Sequence, residues 1–272
     1  MTTDYLAIDA EKPIVGMVHL PPLPGAPKFS GAFEEVRETA LRDAQRLEAG
    51  GVDALMLENF GDAPFYPDDV PKHVVASMTR IAADIREEVD LPMGINVLRN
   101  DAEAALSVAA AVEAAFVRVN VHVGARVTDQ GIVEGEAHET IRLREQLDAD
   151  AAILADLDVK HSAALADRPI DAEVVAESVE RGLAEGIVVS GAGTGHEVGG
   201  DHLRAVASAR DEAGLDAPVF VGSGVTAENA ADILSVADGA IVGTALKEGG
   251  ETTNPVSVER VETVLEAVER VR

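Results

Sequence analysis

Residues 218–244, PVFVGSGVTAENAADILSVADGAIVGT, contain one full repeat of the pattern that decides the fold. An apolar run, PVFVGSG (218–224), is followed by a helix-spaced stretch at 226–236 and a second apolar run, GAIVGT (239–244). Short β-branched runs bounded by glycine read as buried strands, and a longer amphipathic stretch between them reads as a helix. Both runs end in glycine, as Gly222-Ser223-Gly224 and as Gly243-Thr244.

The same alternation fills the rest of the chain. Further strands are expected at IVGMVHL (14–20), DALMLE (53–58), MGINVL (93–98), FVRVNVH (116–122), ILADLDVK (153–160) and IVVSG (187–191). Helices are expected at 34–49, 71–89, 101–114, 137–148, 171–185, 200–213 and 256–271. The first carries Val36, Ala40, Leu41, Ala44 and Leu47 on one stripe, and Gly50-Gly51 ends it. Asp101, Asp171 and Thr226 stand where helix N-caps belong. Eight strands and eight helices in strict alternation predict an α/β protein with a single closed (β/α)8 barrel, ahead of an open doubly wound sheet. The 272 residues match the roughly 250 that such a barrel needs. The chain is therefore read as one domain over 1–272, with 1–12 as an N-terminal extension.

Composition narrows the function. Asp and Glu number 49 against 22 Lys and Arg, a net charge of −27 that repels phosphodiester backbones and anionic lipid. Nucleic-acid binding and membrane insertion are not expected. The most apolar stretch, 104–112, is about half of what a membrane span requires. No cysteine is present, which removes disulfides, thiolate metal sites and cysteine nucleophiles. The start, MTTDYLAIDAEKP, has no apolar core of a signal peptide, so the chain reads as cytoplasmic. Dense acid and only five lysines (Lys12, Lys28, Lys72, Lys160, Lys247) fit a halophilic protein kept hydrated in concentrated salt. Both a monomer and a homo-oligomer remain open.

Strand parity selects the candidate site. In FVRVNVH, Arg118, Asn120 and His122 share a face opposite the valines; in ILADLDVK, Asp156, Asp158 and Lys160 oppose Ala155, Leu157 and Val159. One face of a barrel strand must meet the helices and be apolar, so the polar sets are expected inside, climbing toward the C-terminal mouth. Barrel active sites sit at that mouth. Parity also places Glu58 inside with Met56 and Ala54. His19, Glu58, Asn96, Arg118, Asn120, Asp156 and Lys160 are the candidate catalytic residues. Glu58 and Asp156 suit general acid–base work or a divalent cation such as Mg²⁺. Arg118 or Lys160 suits stabilisation of an enediolate, with Lys160 expected to be ion-paired and protonated beside Asp156 and Asp158; a Schiff base at Lys160 is the less favoured alternative.

The glycine turns supply the other half. Gly222, Ser223, Gly224, Gly243 and Thr244 follow strands seven and eight, where this barrel class recurrently binds phosphate through backbone N–H groups. Gly193 and Gly195, after strand six, are a third wall or a plain turn. Two long loops, 59–70 and 123–136, are lids or static caps over the mouth. Gly124, Gly131 and Gly135 are candidate hinges of the second, and Asp129 and Glu134 can reach inward from it.

Seven stretches carry a resemblance to a known family. They are VHLPPLPGAP (18–27), LENFGDAPF (57–65), GINVLRND (94–101), RVN (118–120), TDQGIVEGEA (128–137), ADLDVKH (155–161) and DGAIVGTALK (238–247). With them the chain resembles the BtpA/SgcQ family from about residue 12 to its end. The resemblance implies a phosphate-binding-type TIM barrel; the family name comes from photosystem I biogenesis, and some members are associated with sugar-phosphate systems. The favoured expectation is an enzyme acting on a small phosphorylated substrate, a sugar phosphate or nucleotide-derived, by isomerase, epimerase or aldolase-like chemistry. The alternatives are a non-catalytic assembly or stability factor, and a Mg²⁺-dependent phosphohydrolase or N-glycosidic bond-cleaving enzyme.

Overall fold

The computed structural model describes residues 6–165, 168–191 and 199–272. Its strands are β1 (Ile14–His19), β2 (Ala54–Glu58), β3 (Met93–Asn96), β4 (Phe116–Val119), β5 (Ala125–Thr128), β6 (Gly131–Glu134), β7 (Ala152–Asp156), β8 (Ser162–Ala164), β9 (Gly186–Val189), β10 (Val219–Val221) and β11 (Gly239–Val242). Its helices are α1 (Phe33–Gly50), α2 (Lys72–Glu88), α3 (Ala102–Val112), α4 (Ala137–Gln146), α5 (Ala172–Ala176), α6 (Gly200–Glu212), α7 (Ala230–Leu234) and α8 (Val258–Val268). Strands β1, β2, β3, β4, β7, β9, β10 and β11 pair in parallel, and β11 returns to β1 to close a (β/α)8 barrel. Among the described residues no helix is long and apolar enough to cross a membrane.

Alternation along the strands divides the core in two. Val15, Met17, Ala54, Met56, Phe116, Leu154, Val188, Phe220 and Ile241 fill the barrel interior, while Ile14, Val18, Leu55, Leu57, Val117 and Ile153 face the helices. Leu6 and Ile8 join the interior cluster, so part of the expected N-terminal extension is barrel core. Lys12 ties that segment to the turn before the adjacent β11 by donating to the Ala237 carbonyl at 2.8 Å.

The helices begin where short polar side chains can accept orphan N–H groups. Asp101 accepts from Ala104 at 2.7 Å and Asp171 from Val174 at 3.0 Å. Thr226 does not hold the N-cap position of α7, which is Asn229. Asn229 accepts from the Thr226 N–H at 2.8 Å, and α7 starts only at Ala230. The helix expected over 171–185 is also shorter, because α5 passes into a π turn at Glu177–Arg181.

The expected strands 116–122 and 153–160 stop early, at Val119 and Asp156, and the chain beyond them forms a second sheet. Beyond β4, Asn100 accepts from the Val121 N–H at 2.7 Å and donates to its carbonyl at 3.0 Å, taking the place of a neighbouring strand. The loop 123–136 is a hairpin, β5–β6, with Asp129-Gln130 as its tip, and β8 adds antiparallel to β5. The parity argument lapses where the barrel strands end. His122 turns away from the barrel, its Nε2 2.7 Å from the Gly182 carbonyl. Asp158 points to the hairpin and pairs with Arg126 at 2.5 Å and His202 at 3.4 Å.

Candidate active site

Register sets one level of the mouth. His19 on β1 is the direct neighbour of Glu58 on β2, and Glu58 of Asn96 on β3. All three are the last residues of their strands. His19 Nε2 lies 3.8 Å from Glu58 Oε1, and its ring packs on Phe60 with centroids 4.9 Å apart. Burial, then the cations Lys247, Lys160 and Arg118, hold His19 well below the usual imidazole value, so it is neutral near pH 7. Glu58 makes no side-chain hydrogen bond among the described residues, and it faces open space.

Opposite stands a closed ion pair. Arg118 donates from Nε and Nη2 to the two oxygens of Asp156, both at 2.7 Å, and both side chains are buried. A planar fork is the geometry in which a buried pair recovers its desolvation cost. Burial opposes the charge on Arg118, but Asp156 outweighs it and holds the guanidinium above its ordinary value. Ser190 completes the set, 3.1 Å from Arg118 Nη2 and 3.2 Å from Asp156 Oδ2. Below, Asn96 donates to the Arg118 carbonyl at 2.9 Å and to Asn120 Oδ1 at 3.1 Å. Asn96 and Asn120 thus brace Arg118 and do not line the cleft.

Lys160 departs from expectation. Among the described residues no carboxylate forms an ion pair with it: Arg118 holds Asp156, and Asp158 has turned to Arg126. Burial is the largest influence on its ammonium and pushes the pKa down; Glu58 and Asp156 oppose this, Arg118 and Arg99 reinforce it. The expected ion pair with Asp156 or Asp158 is not formed among the described residues. Arg99, a buried residue that strand parity had no means to select, donates to the Lys160 carbonyl and fixes the loop that carries it.

These groups border a two-lobed cleft. One lobe, about 640 Å³, is lined by Arg118, Lys160, Gly222–Gly224, Gly243 and Thr244, with the exposed Glu228, Glu248 and Arg260 at its edge. The other, about 760 Å³, has apolar walls from Pro21, Pro22, Phe60, Phe65 and Leu98, with Glu58, Arg99 and Asp129 among them. His19 and Lys160 line both. Glycine is required at the first lobe for two reasons. Gly224 has φ +72°, and a Cβ on Gly243 would stand 2.6 Å from His19 Cε1. Gly193 and Gly195 lie outside the described residues. Glu134 is exposed and lines neither lobe. Among the described residues no group of three His, Asp or Glu side chains is arranged to hold a metal ion. Both oxygens of Asp156 are turned to Arg118, so Glu58 and Asp156 do not form a shared cation site.

A closed parallel barrel with charged side chains and glycine turns at its C-terminal mouth places the molecule among the (β/α)8-barrel proteins. N-(5'-phosphoribosyl)anthranilate isomerase from Pyrococcus furiosus shares this fold, with a TM-score of 0.58 at 13% identity over 95% of this chain and 99% of that one. The BtpA family model matches residues 10–270, and the chain belongs to the BtpA family. An uncharacterized protein of Thermococcus kodakarensis is 48% identical, covering 96% of this chain and 97% of its own. The photosystem I biogenesis protein BtpA of Synechocystis is 41% identical, covering 97% and 90%.

Proposed function

We propose that this protein is an enzyme acting on a small phosphorylated substrate, with isomerase, epimerase or aldolase-like chemistry. The phosphate sits against the N–H groups of Gly222–Gly224 and Gly243–Thr244, and the rest of the substrate extends toward the apolar lobe. One observation carries the reading: the glycine lobe is continuous with a wall of Arg118, His19 and Lys160, and Glu58 opens on the other side of that wall. A substrate held by its phosphate therefore presents its middle carbons to these groups, which is the positioning that proton transfer next to a carbonyl requires. Neutral His19 can donate or accept a proton, Glu58 is the free carboxylate, and Arg118, fixed by Asp156, supplies positive charge to a developing oxyanion.

The isomerase that shares the fold takes, by its name, a phosphoribosyl compound, which agrees with this reading. An assembly role, as the name of the Synechocystis relative indicates, gives a buried Arg118–Asp156 fork and a glycine-walled cleft no task. The test is a thermal-shift screen of phosphorylated metabolites in molar KCl, with and without Mg²⁺. At least one sugar phosphate should raise Tm where its unphosphorylated analogue does not. Equal response to both would contradict the proposal.

A further inference from the structure

Lys160 occupies a position that neither acid–base work nor phosphate binding accounts for. It stands four residues beyond the end of β7, at the junction of the two lobes, where the middle of a phosphate-anchored substrate must pass. A lysine serving as a structural cation in this acidic chain would hold a carboxylate, as Lys247 holds Asp43 at 2.6 Å. Lys160 holds none among the described residues. The nearest acids are accounted for: Asp156 is locked by Arg118, and Asp158 by Arg126 and His202. Glu58 is the acid acting most strongly on Lys160, and among the described residues it forms no ion pair with an arginine or lysine; its one close basic neighbour is His19, which is neutral.

We propose that Lys160 is a nucleophile that forms an imine with a carbonyl carbon of the phosphorylated substrate. The proposal rests on the cleft reading above and narrows the substrate to a phosphorylated ketone or aldehyde. Lys160 first passes its proton to the Glu58 carboxylate; the neutral amine nitrogen then adds to the carbonyl carbon, the C–N bond forms as the C=O π bond breaks, and the oxygen takes the proton that the nitrogen sheds. The resulting carbinolamine loses its hydroxyl as water, with protonated Glu58 delivering the proton, and the iminium remains. That cation draws electrons from the adjacent C–H or C–C bond; Glu58, now a carboxylate, receives the proton released from carbon or from the hydroxyl of the cleaving fragment, and returns it to carbon of the enamine, which restores the iminium. Returning water hydrolyses the imine and restores Lys160. Nothing is oxidised or reduced. Burial among Arg118 and Arg99 favours the neutral amine that the addition needs.

The experiment is borohydride trapping on the full chain in molar KCl, with dihydroxyacetone phosphate as the ketone and ribose 5-phosphate as the aldehyde. Expected is a mass gain equal to the sugar phosphate less one oxygen, mapped to the peptide containing Lys160. It should need both sugar phosphate and borohydride, fall when inorganic phosphate competes, and vanish in Lys160→Met. Mapping on the unaltered protein makes the result independent of how that variant folds. Labelling of Lys28, Lys12, Lys72 or Lys247 in place of Lys160 would overturn the proposal. So would the absence of any adduct when both compounds raise Tm, an outcome that leaves the proposed function standing. Failure of both compounds and of inorganic phosphate to bind would overturn both.

Discussion

Arg118 holds Asp156 through two parallel hydrogen bonds of 2.7 Å, and this pairing leaves Lys160 without its expected carboxylate. The two partners come from β4 and β7, adjacent in the barrel though 38 residues apart in the chain. Removing one member strands the other as a buried charge. Asp156→Ala should cost about 3–5 kcal/mol of stability, measured by denaturant unfolding in molar KCl. Replacing both, as Arg118→Met with Asp156→Leu, should recover much of that loss. Equal instability of the double variant would argue that the fork supplies net stability.

The glycine turns should tolerate no side chain. Gly243→Ala drives a Cβ to 2.6 Å from His19 Cε1, so the imidazole must move from the cleft wall. Weakening of sugar-phosphate binding by at least tenfold, about 1.4 kcal/mol, is expected by calorimetry. Gly224→Val adds the strain of φ +72°, roughly 1–2 kcal/mol, which should appear in Tm without ligand.

Acidification should destabilise the protein just below neutrality. His19 and His122 are held below the unfolded value near 6.5, both first by burial. As pH falls through 6.5 the unfolded chain takes up protons that the folded chain refuses, so stability is lost progressively below that point. Asp53, Asp62 and Asp101, raised by burial, act in the opposite sense, but nearer their ordinary 3.8. Urea midpoints at pH 7.5 and 5.5 should differ, and His19→Gln should shrink the difference. A midpoint independent of pH would refute the buried neutral imidazoles.

Salt should have a large stabilising effect. Self-repulsion among 49 acids is screened over about 10 Å at 0.1 M and about 3 Å at 1 M. Tm should climb from dilute buffer to molar KCl, and a flat profile would place the chain among ordinary acidic proteins.

The barrel was legible because its signal is periodic. Eight short apolar runs alternating with amphipathic stretches leave little else to build, and parity placed Glu58, Arg118 and Asp156 inward, on strands that persist to those residues. The errors lie beyond the strand ends. His122 and Asp158 follow β4 and β7, where alternation no longer decides direction, and both turn toward other elements. Arg99 sits in a turn, which carries no period at all, while Ser190 directly follows the end of β9. The ion pair assigned to Lys160 failed for another reason. Sequence places Asp156 and Asp158 near Lys160 along one strand, but the partner that takes Asp156 comes from the neighbouring strand. One sign of the hairpin was readable: Thr128-Asp129-Gln130-Gly131 is a two-residue tip closed by a glycine at φ +107°.

A crystal structure with a bound sugar phosphate would show directly whether the phosphate and the carbon chain divide between the two lobes. The phosphate should lie within hydrogen-bond distance of the N–H groups around Gly224 and Thr244, with the sugar carbons directed at Lys160 and Glu58. A saturated crystal in which the phosphate binds outside this lobe, or in which the carbons point away from Lys160, would contradict the account.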